Sequence, residues 1–186
     1  MEVLLICGSL RDGSTNQAVI QTIGGLSNDE VRANIYSELA ELPPFNPDLD
    51  PVDGAPPEAV VSLRRQLAEA SAVMFCTPEY AGALPGPLVN LLDWTVGGGE
   101  TYGLPVGYVN VAGAASPTGG ESAHSSLRTI LGYTGSELVE DACVRVPVSR
   151  ADVNEDGSIG NVEVRVQIGG AFKALVEHVR ASSQLL

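Results

Sequence analysis

The sequence predicts an α/β fold in which helices cover both faces of a parallel sheet, a three-layer sandwich. Three observations lead there. Five short apolar runs alternate along the chain with helix-length segments. The first of them, residues 2–7 (EVLLIC), is nearly continuous in its apolar character and stops at Gly8 and Ser9, as expected of a central strand buried on both faces. The three most unusual loops, residues 8–16, 77–87 and 112–120, all follow strands. Ligands of such sheets collect at those strand ends, near the point where strand order reverses.

The elements follow in order. After strand 2–7 and its loop, residues 16–24 form a helix, and 31–36 (VRANIY) a second strand whose polar members place it near the sheet edge. Residues 41–57, dense in proline and aspartate, read as an ordered surface crossing rather than a linker. A helix over 58–69 turns Val61, Leu63 and Leu67 inward, and 72–77 is a third, apolar strand. Helix 88–94 leads into GGGETYG, strand 106–111 ends in AGAASPTGG, and helix 121–132 precedes strand 138–144. The polar, turn-rich SRADVNEDGSIGN then separates the sheet from a last amphipathic helix over 164–180. With 186 residues and 44% hydrophobic content, the chain can bury one substantial core and is read as a single domain, 1–186.

Charge narrows the partners. A net charge of -13, from 10 Lys and Arg against 23 Asp and Glu without a basic run, argues against nucleic acid and anionic lipid surfaces. A small anion in a local nest remains compatible with it. Cys7, Cys76 and Cys143 each sit in an apolar run, where free cysteine behaves as a small hydrophobe, and no CxxC or Cys/His spacing points to zinc. The odd, strand-embedded set suits a reducing compartment. The N-terminal apolar run is too short for a membrane span and lacks a basic leader, so a cytoplasmic protein is expected.

The first loop, GSLRDGSTN, is built to hold an anion. Gly8 tolerates unusual backbone angles, Ser9, Ser14, Thr15 and Asn16 supply polar side chains beside the open N–H groups of a helix start, and Arg11 adds a charged fork. It lacks the lysine of a Walker A loop and the spacing of GxGxxG, so a monophosphate fits better than a nucleoside triphosphate or a dinucleotide. In the alternative reading, Ser14 or Asn16 only caps the helix and Arg11 faces solvent. The second loop, TPEYAGALPGP, can present backbone amides to a flat heterocycle with Tyr80 beside it, or be a packed strand-to-helix turn. The third, VAGAASPTGG, is nearly free of bulky side chains. Its Ser116 and the amides near Gly119 and Gly120 can meet a carbonyl-bearing ring edge, or the glycines only start the next helix. A phosphate seat beside a flat-ring site describes flavin mononucleotide better than a sugar phosphate.

GSLRDGSTN, TPEYAGALPGPLVNLLDW and ASPTGG together resemble the NADPH-dependent FMN reductase family of flavodoxin-like quinone, azo and chromate reductases. The resemblance implies a doubly wound sheet in order 2-1-3-4-5 and noncovalent FMN. It assigns the phosphate to Ser9, Arg11, Ser14 and Asn16, with Leu10 and Thr15 contributing backbone. Pro78, Glu79, Tyr80 and Ala81 border the flavin ring, and Ser116, Gly119 and Gly120 face its other side or its pyrimidine edge. NADPH or NADH donates hydride to the flavin, which reduces a small acceptor such as a quinone, azo compound, chromate or free flavin, with no catalytic side chain and no metal. The main alternative is an electron carrier between proteins. His124, His178 and Cys76 read as structural, and Glu79 as architectural. Where the family often has PEYN followed by Gly-Ser, this chain has PEYAGA, removing a side-chain amide and a hydroxyl. No second basic cluster marks the extra phosphate of NADPH. A homodimer or homotetramer is expected, with Leu88, Leu91, Leu92 and Trp94 either forming its interface or covering the sheet.

Overall fold

Strand β1 (Glu2–Cys7) is flanked on one side by β2 (Arg32–Tyr36) and on the other by β3 (Ala72–Thr77), with β4 (Pro105–Asn110) and β5 (Glu137–Arg145) beyond β3. All four pairings are parallel, in order 2-1-3-4-5, in a computed structural model that describes residues 1–51, 54–112 and 116–183. The connections are α1 (Thr15–Gly24), α2 (Glu58–Glu69), α3 (Gly86–Val96) and α4 (Glu121–Tyr133), and α5 (Val162–Ser183) follows β5. This is the doubly wound, flavodoxin-like arrangement that the resemblance implies. The chain leaves β1 toward one edge and returns on its other side as β3, so the switch point lies between the carboxyl ends of those two strands.

Alternation within the central strands builds the two core layers. Val3, Leu5, Met74 and Cys76 face α1 and α5, where Val19, Ile23, Ile168 and Leu175 meet them. Leu4, Ile6, Val73 and Phe75 face the other way, against Leu63, Leu88, Leu91 and Leu127 of α2, α3 and α4. All six residues of β3 are buried, as a strand covered on both faces requires, whereas β2 lies at the edge with three of its five residues exposed.

One expectation about helix faces needs correction, and one open alternative is decided. On α2 the buried stripe is Val60, Leu63 and Leu67, while Val61 is 47% exposed. Spacings of three, four and seven keep the first three on one side, and Val61 lies one residue, or about 100°, off that stripe. On α3, Leu88, Leu91, Leu92 and Trp94 are fully buried beneath the sheet and the preceding crossing, so they cover the sheet and offer no subunit interface.

The proline-rich crossing is ordered where it is described; Val52 and Asp53 lie outside the described residues. Asn90 accepts from the Phe45 amide (2.7 Å) and donates to the Pro43 carbonyl (3.0 Å), which also accepts from the Trp94 indole (2.8 Å). The Phe45 ring meets Trp94 edge-on at 5.0 Å, and Arg64 holds Asp50 bidentately at 2.9 and 2.7 Å. Cys76 is buried, Cys7 and Cys143 are half-buried rather than fully enclosed, and all three are free.

Candidate functional site

The first two loops meet at the switch point. The Gly8 amide donates to the Cys76 carbonyl at 2.7 Å, extending the β1–β3 ladder by one bond before the loop begins. A Cβ on Gly8 would stand 2.9 Å from Leu88 and 3.1 Å from the Thr77 hydroxyl, so glycine lets α3 close against the loop. Ser14 is the N-cap of α1: its hydroxyl accepts from the Gln17 amide at 3.1 Å, and its own amide donates to the Arg11 carbonyl at 3.2 Å. Thr15 and Asn16 open the helix, where backbone N–H groups have no intrahelical acceptor. The Ser9 hydroxyl accepts from the Arg11 amide (3.3 Å), and Gly13, at φ +59°, turns the chain back so that its amide reaches the Gln17 side chain (2.8 Å). Ser9, Ser14 and Asn16 are all buried.

A cavity of about 250 Å3 opens beside this loop, lined by Arg11, Ser14, Thr15 and Asn16 on one side and by Pro78, Tyr80 and Val111 on the other. Val148 and Arg150, from the segment after β5, complete its wall. The polar end and the aromatic end of one groove thus come from separate loops. Ser9 and Leu10 face across the loop into a neighbouring depression with Tyr36 and Ser37, and Arg11 borders both. A larger cavity, about 610 Å3, lies between α1 and α5 beside Leu26, Ile159 and Val162, and gathers no residue of the three loops.

Tyr80 stands on a four-residue turn. Its amide and carbonyl exchange bonds with those of Ala83, both at 3.0 Å, and the central residues Ala81 and Gly82 have φ of +51° and +72°. Positive φ at both central positions is the pattern of a type I′ turn. Ala81 is the sole non-glycine residue with positive φ among the described residues. Held there, the Tyr80 side chain is 51% exposed.

Glu79 points away from the cavity. Its carboxylate accepts from the Thr118 hydroxyl and, at 3.0 Å, from the Ala123 amide in the first turn of α4, tying the second loop to the third. The Thr118 hydroxyl first, then the Ala123 amide, hold its carboxyl below the ordinary range. The α4 N-cap, Gly120, sits at φ +80°, and a Cβ there would collide with the Asn110 side chain. Gly119 lines a separate cavity with Asn110, Ala112 and Arg145, and Ser116 contacts the Thr118 hydroxyl at 3.4 Å. Ser116, Gly119 and Gly120 therefore do not line the Arg11–Tyr80 groove; Gly113, Ala114 and Ala115 lie outside the described residues.

Burial pushes the Cys7 and Cys76 thiols up, against thiolate formation. Burial lowers His124, whose ring meets Tyr108 edge-on at 4.7 Å, and His178 contacts Glu137 at 2.9 Å, so both histidines have structural partners. Val111, Val148 and Arg150 were not singled out from the sequence.

The sequence profile of the NADPH-dependent FMN reductases matches residues 1–149. The chain belongs to that family. Among relatives of this family member, a quinone reductase of Pseudomonas putida is 30% identical over 78% of this chain and 74% of its own. An NAD(P)H:quinone oxidoreductase of Solanum tuberosum is 34% identical across 50% of this chain, and the match takes in 49% of the potato protein. Among solved structures, the flavoenzyme NAD(P)H:(acceptor) oxidoreductase FerB of Paracoccus denitrificans superposes with a TM-score of 0.83 over 97% of both chains at 23% identity, a likeness of fold. The family's description names FMN as the flavin and NADPH as the reductant. The groove suits a flavin phosphate: the buried Ser14 hydroxyl and Asn16 side chain, a helix start and Arg11 are a donor set for it, and Pro78, Tyr80 and Val111 offer apolar and aromatic surface for a ring.

Proposed function

We propose that this family member is an FMN-dependent NAD(P)H oxidoreductase whose acceptor is a small planar quinone. The observation that carries the reading is the single groove uniting Arg11, Ser14, Thr15 and Asn16 with Pro78 and Tyr80. When bound, FMN supplies the redox chemistry, accepting hydride from the nicotinamide and delivering electrons to the acceptor. The protein binds and orients. Arg11, Ser14 and Asn16, with the backbone of Thr15, seat the phosphate from the groove, and Ser9, with the backbone of Leu10, approaches it from the neighbouring depression that Arg11 also borders. Pro78, Glu79, Tyr80 and Ala81 border the ring, Glu79 through the fixed position it gives the loop rather than by proton transfer. Ser116, Gly119 and Gly120, outside that groove, would meet the ring's far edge only where the flavin extends beyond it toward the third loop.

The exposed Tyr80 ring and the small side chains of Ala81 and Ala83 favour a flat acceptor stacking in an open site over one selected by many hydrogen bonds. The quinone reductases among the relatives support the same choice. The setting proposed is cytoplasmic, as one domain over 1–186 assembled into a homodimer or homotetramer. Stopped-flow mixing of flavin-loaded protein with NADPH or NADH, followed by a quinone, an azo dye, chromate or free flavin, tests the function. Rapid bleaching of the flavin and fastest reoxidation by the quinone are expected. The net charge of -13 also fits an electron carrier docking on basic proteins. A flavin that neither nicotinamide reduces would favour that carrier and overturn the reductase.

A further inference from the structure

The family match ends at residue 149, and the next residue reaches back to the phosphate loop. Arg150 donates from a guanidinium nitrogen to the carbonyl of Gly13, 137 positions earlier in the chain, and lines the same cavity as Arg11, Ser14, Thr15 and Asn16. We propose that Arg150 is a second cation of the flavin-phosphate seat, holding the phosphate opposite Arg11. The inference rests on the FMN reading above and adds to it a residue specific to this chain's own C-terminal segment.

Charge accounting supports the assignment. With 23 acids and 10 cations in the chain, most cations have acidic neighbours: Arg32, Arg64, Arg128, Arg145, Lys173 and Arg180 are all in ion pairs. Arg11, Arg65, Arg150 and Arg165 form none among the described residues, and of these four it is Arg11 and Arg150 that face one cavity. Two cations facing one cavity repel each other unless an anion joins them. A guanidinium carries five N–H donors in a fixed fork, so the bond to Gly13 leaves donors for phosphate oxygens.

The segment bearing Arg150 is also braced. Arg150 opens a short three-ten turn, Arg150–Asp152, in which Asp152 accepts from the Ser149 backbone amide and hydroxyl, both at 2.7 Å, and from the Asn161 side-chain Nδ2 at 2.6 Å. Val153 bridges Ile159, whose amide donates to the Thr22 hydroxyl of α1 at 2.8 Å. Val148, just before the turn, is buried. The platform is therefore fixed to the helix whose N-terminus faces the same cavity, so little ordering is left to the moment of binding.

Calorimetric titration of the full, flavin-stripped chain with FMN, riboflavin and inorganic phosphate, at low and high salt, tests this. Arg150→Gln should weaken FMN about 10- to 100-fold, the range expected for lost hydrogen bonds between charged groups. Riboflavin, which lacks the phosphate, should change less than about twofold, and the salt dependence of FMN binding should flatten. Arg150→Lys should restore the salt dependence but only part of the affinity, because a point charge lacks the fork. Equal losses for FMN and riboflavin, an unchanged salt slope, or no loss at all would overturn the proposal. If the unaltered chain binds phosphate in an Arg150-dependent way but takes up no FMN, the anion seat stands and the flavin reading falls. If it binds neither, both fall.

Discussion

Ala81 occupies a backbone conformation that alanine disfavours, and substitution there reads out the geometry of the ring-side loop directly. With φ of +51° at Ala81 and +72° at Gly82, the Tyr80–Ala83 turn asks for left-handed residues at both central positions, and only the second is glycine. A left-handed non-glycine residue costs about 1–2 kcal/mol, with asparagine among the better tolerated. Ala81→Asn should therefore stabilise the protein by about 0.5–1 kcal/mol. Ala81→Gly should relieve the same strain but lose about 0.4–1 kcal/mol to the freer unfolded chain, for a small net gain. Ala81→Val, β-branched, should destabilise by about 1–2 kcal/mol. In a chain of this size each kcal/mol moves the melting temperature by about 2–4 °C. Thermal unfolding of the flavin-free variants, followed by circular dichroism, should rank them Asn above Gly, Gly at or above Ala, and Ala above Val. Coincident melting of the Asn, Ala and Val proteins would show that residue 81 is not held in the left-handed region, and the derivation of Tyr80's position would fail.

Other outcomes follow from the same contacts. Because Glu79 is held below its ordinary pKa in the folded state, its stabilisation is present above the unfolded value near 4.5 and is lost as pH falls through the lower, folded one. Glu79→Gln should thus lower the melting temperature near neutral pH and narrow its gap to the parent in acid, as melts across pH 3–7 would show; a pH-independent gap would contradict the Thr118 and Ala123 contacts. Tyr80→Ala should weaken FMN about 5- to 10-fold by removing roughly 1 kcal/mol of aromatic contact, measured by quenching of flavin fluorescence; unchanged affinity together with unchanged rates of both half-reactions would remove the ring from the site. On α2, Leu63→Ala should cost about 2–5 kcal/mol and Val61→Ala less than about 0.5 kcal/mol in urea denaturation, and the reverse order would mean that the buried stripe is wrongly placed.

How far the sequence alone could be read depended on the range of each contact. The uninterrupted apolar character of β1 and β3 and the polar residues of β2 announced a buried centre and an edge, because burial on two faces leaves no room for alternation. The order of the strands came from the motifs' resemblance, since local patterns do not encode which parallel strands become neighbours. Local geometry defeated the reading of α2, where Val60 and Val61 are chemically identical and only the helix's rotation separates core from solvent. Apolar residues on α3 looked equally suited to a sheet or to a second subunit, and packing against the sheet and the Pro43–Phe45 crossing decided between them. Arg150 was hidden for another reason. It lies in a polar segment that reads as a turn, and its meaning depends on a carbonyl 137 residues away. The Glu79 bond to Thr118 is likewise long-range, although the architectural role given to Glu79 anticipated a contact of that kind.

The central claim is that the groove between the β1 and β3 carboxyl ends holds FMN, phosphate toward the first loop and ring toward the second. A crystal structure of the protein grown with saturating FMN tests it most directly. The account predicts phosphate oxygens within hydrogen-bond distance of the Ser14 and Arg11 side chains and the ring lying along Pro78 to Tyr80. Well-ordered loops with that groove closed by side chains, or flavin density at another site such as the α1–α5 cavity, would contradict it.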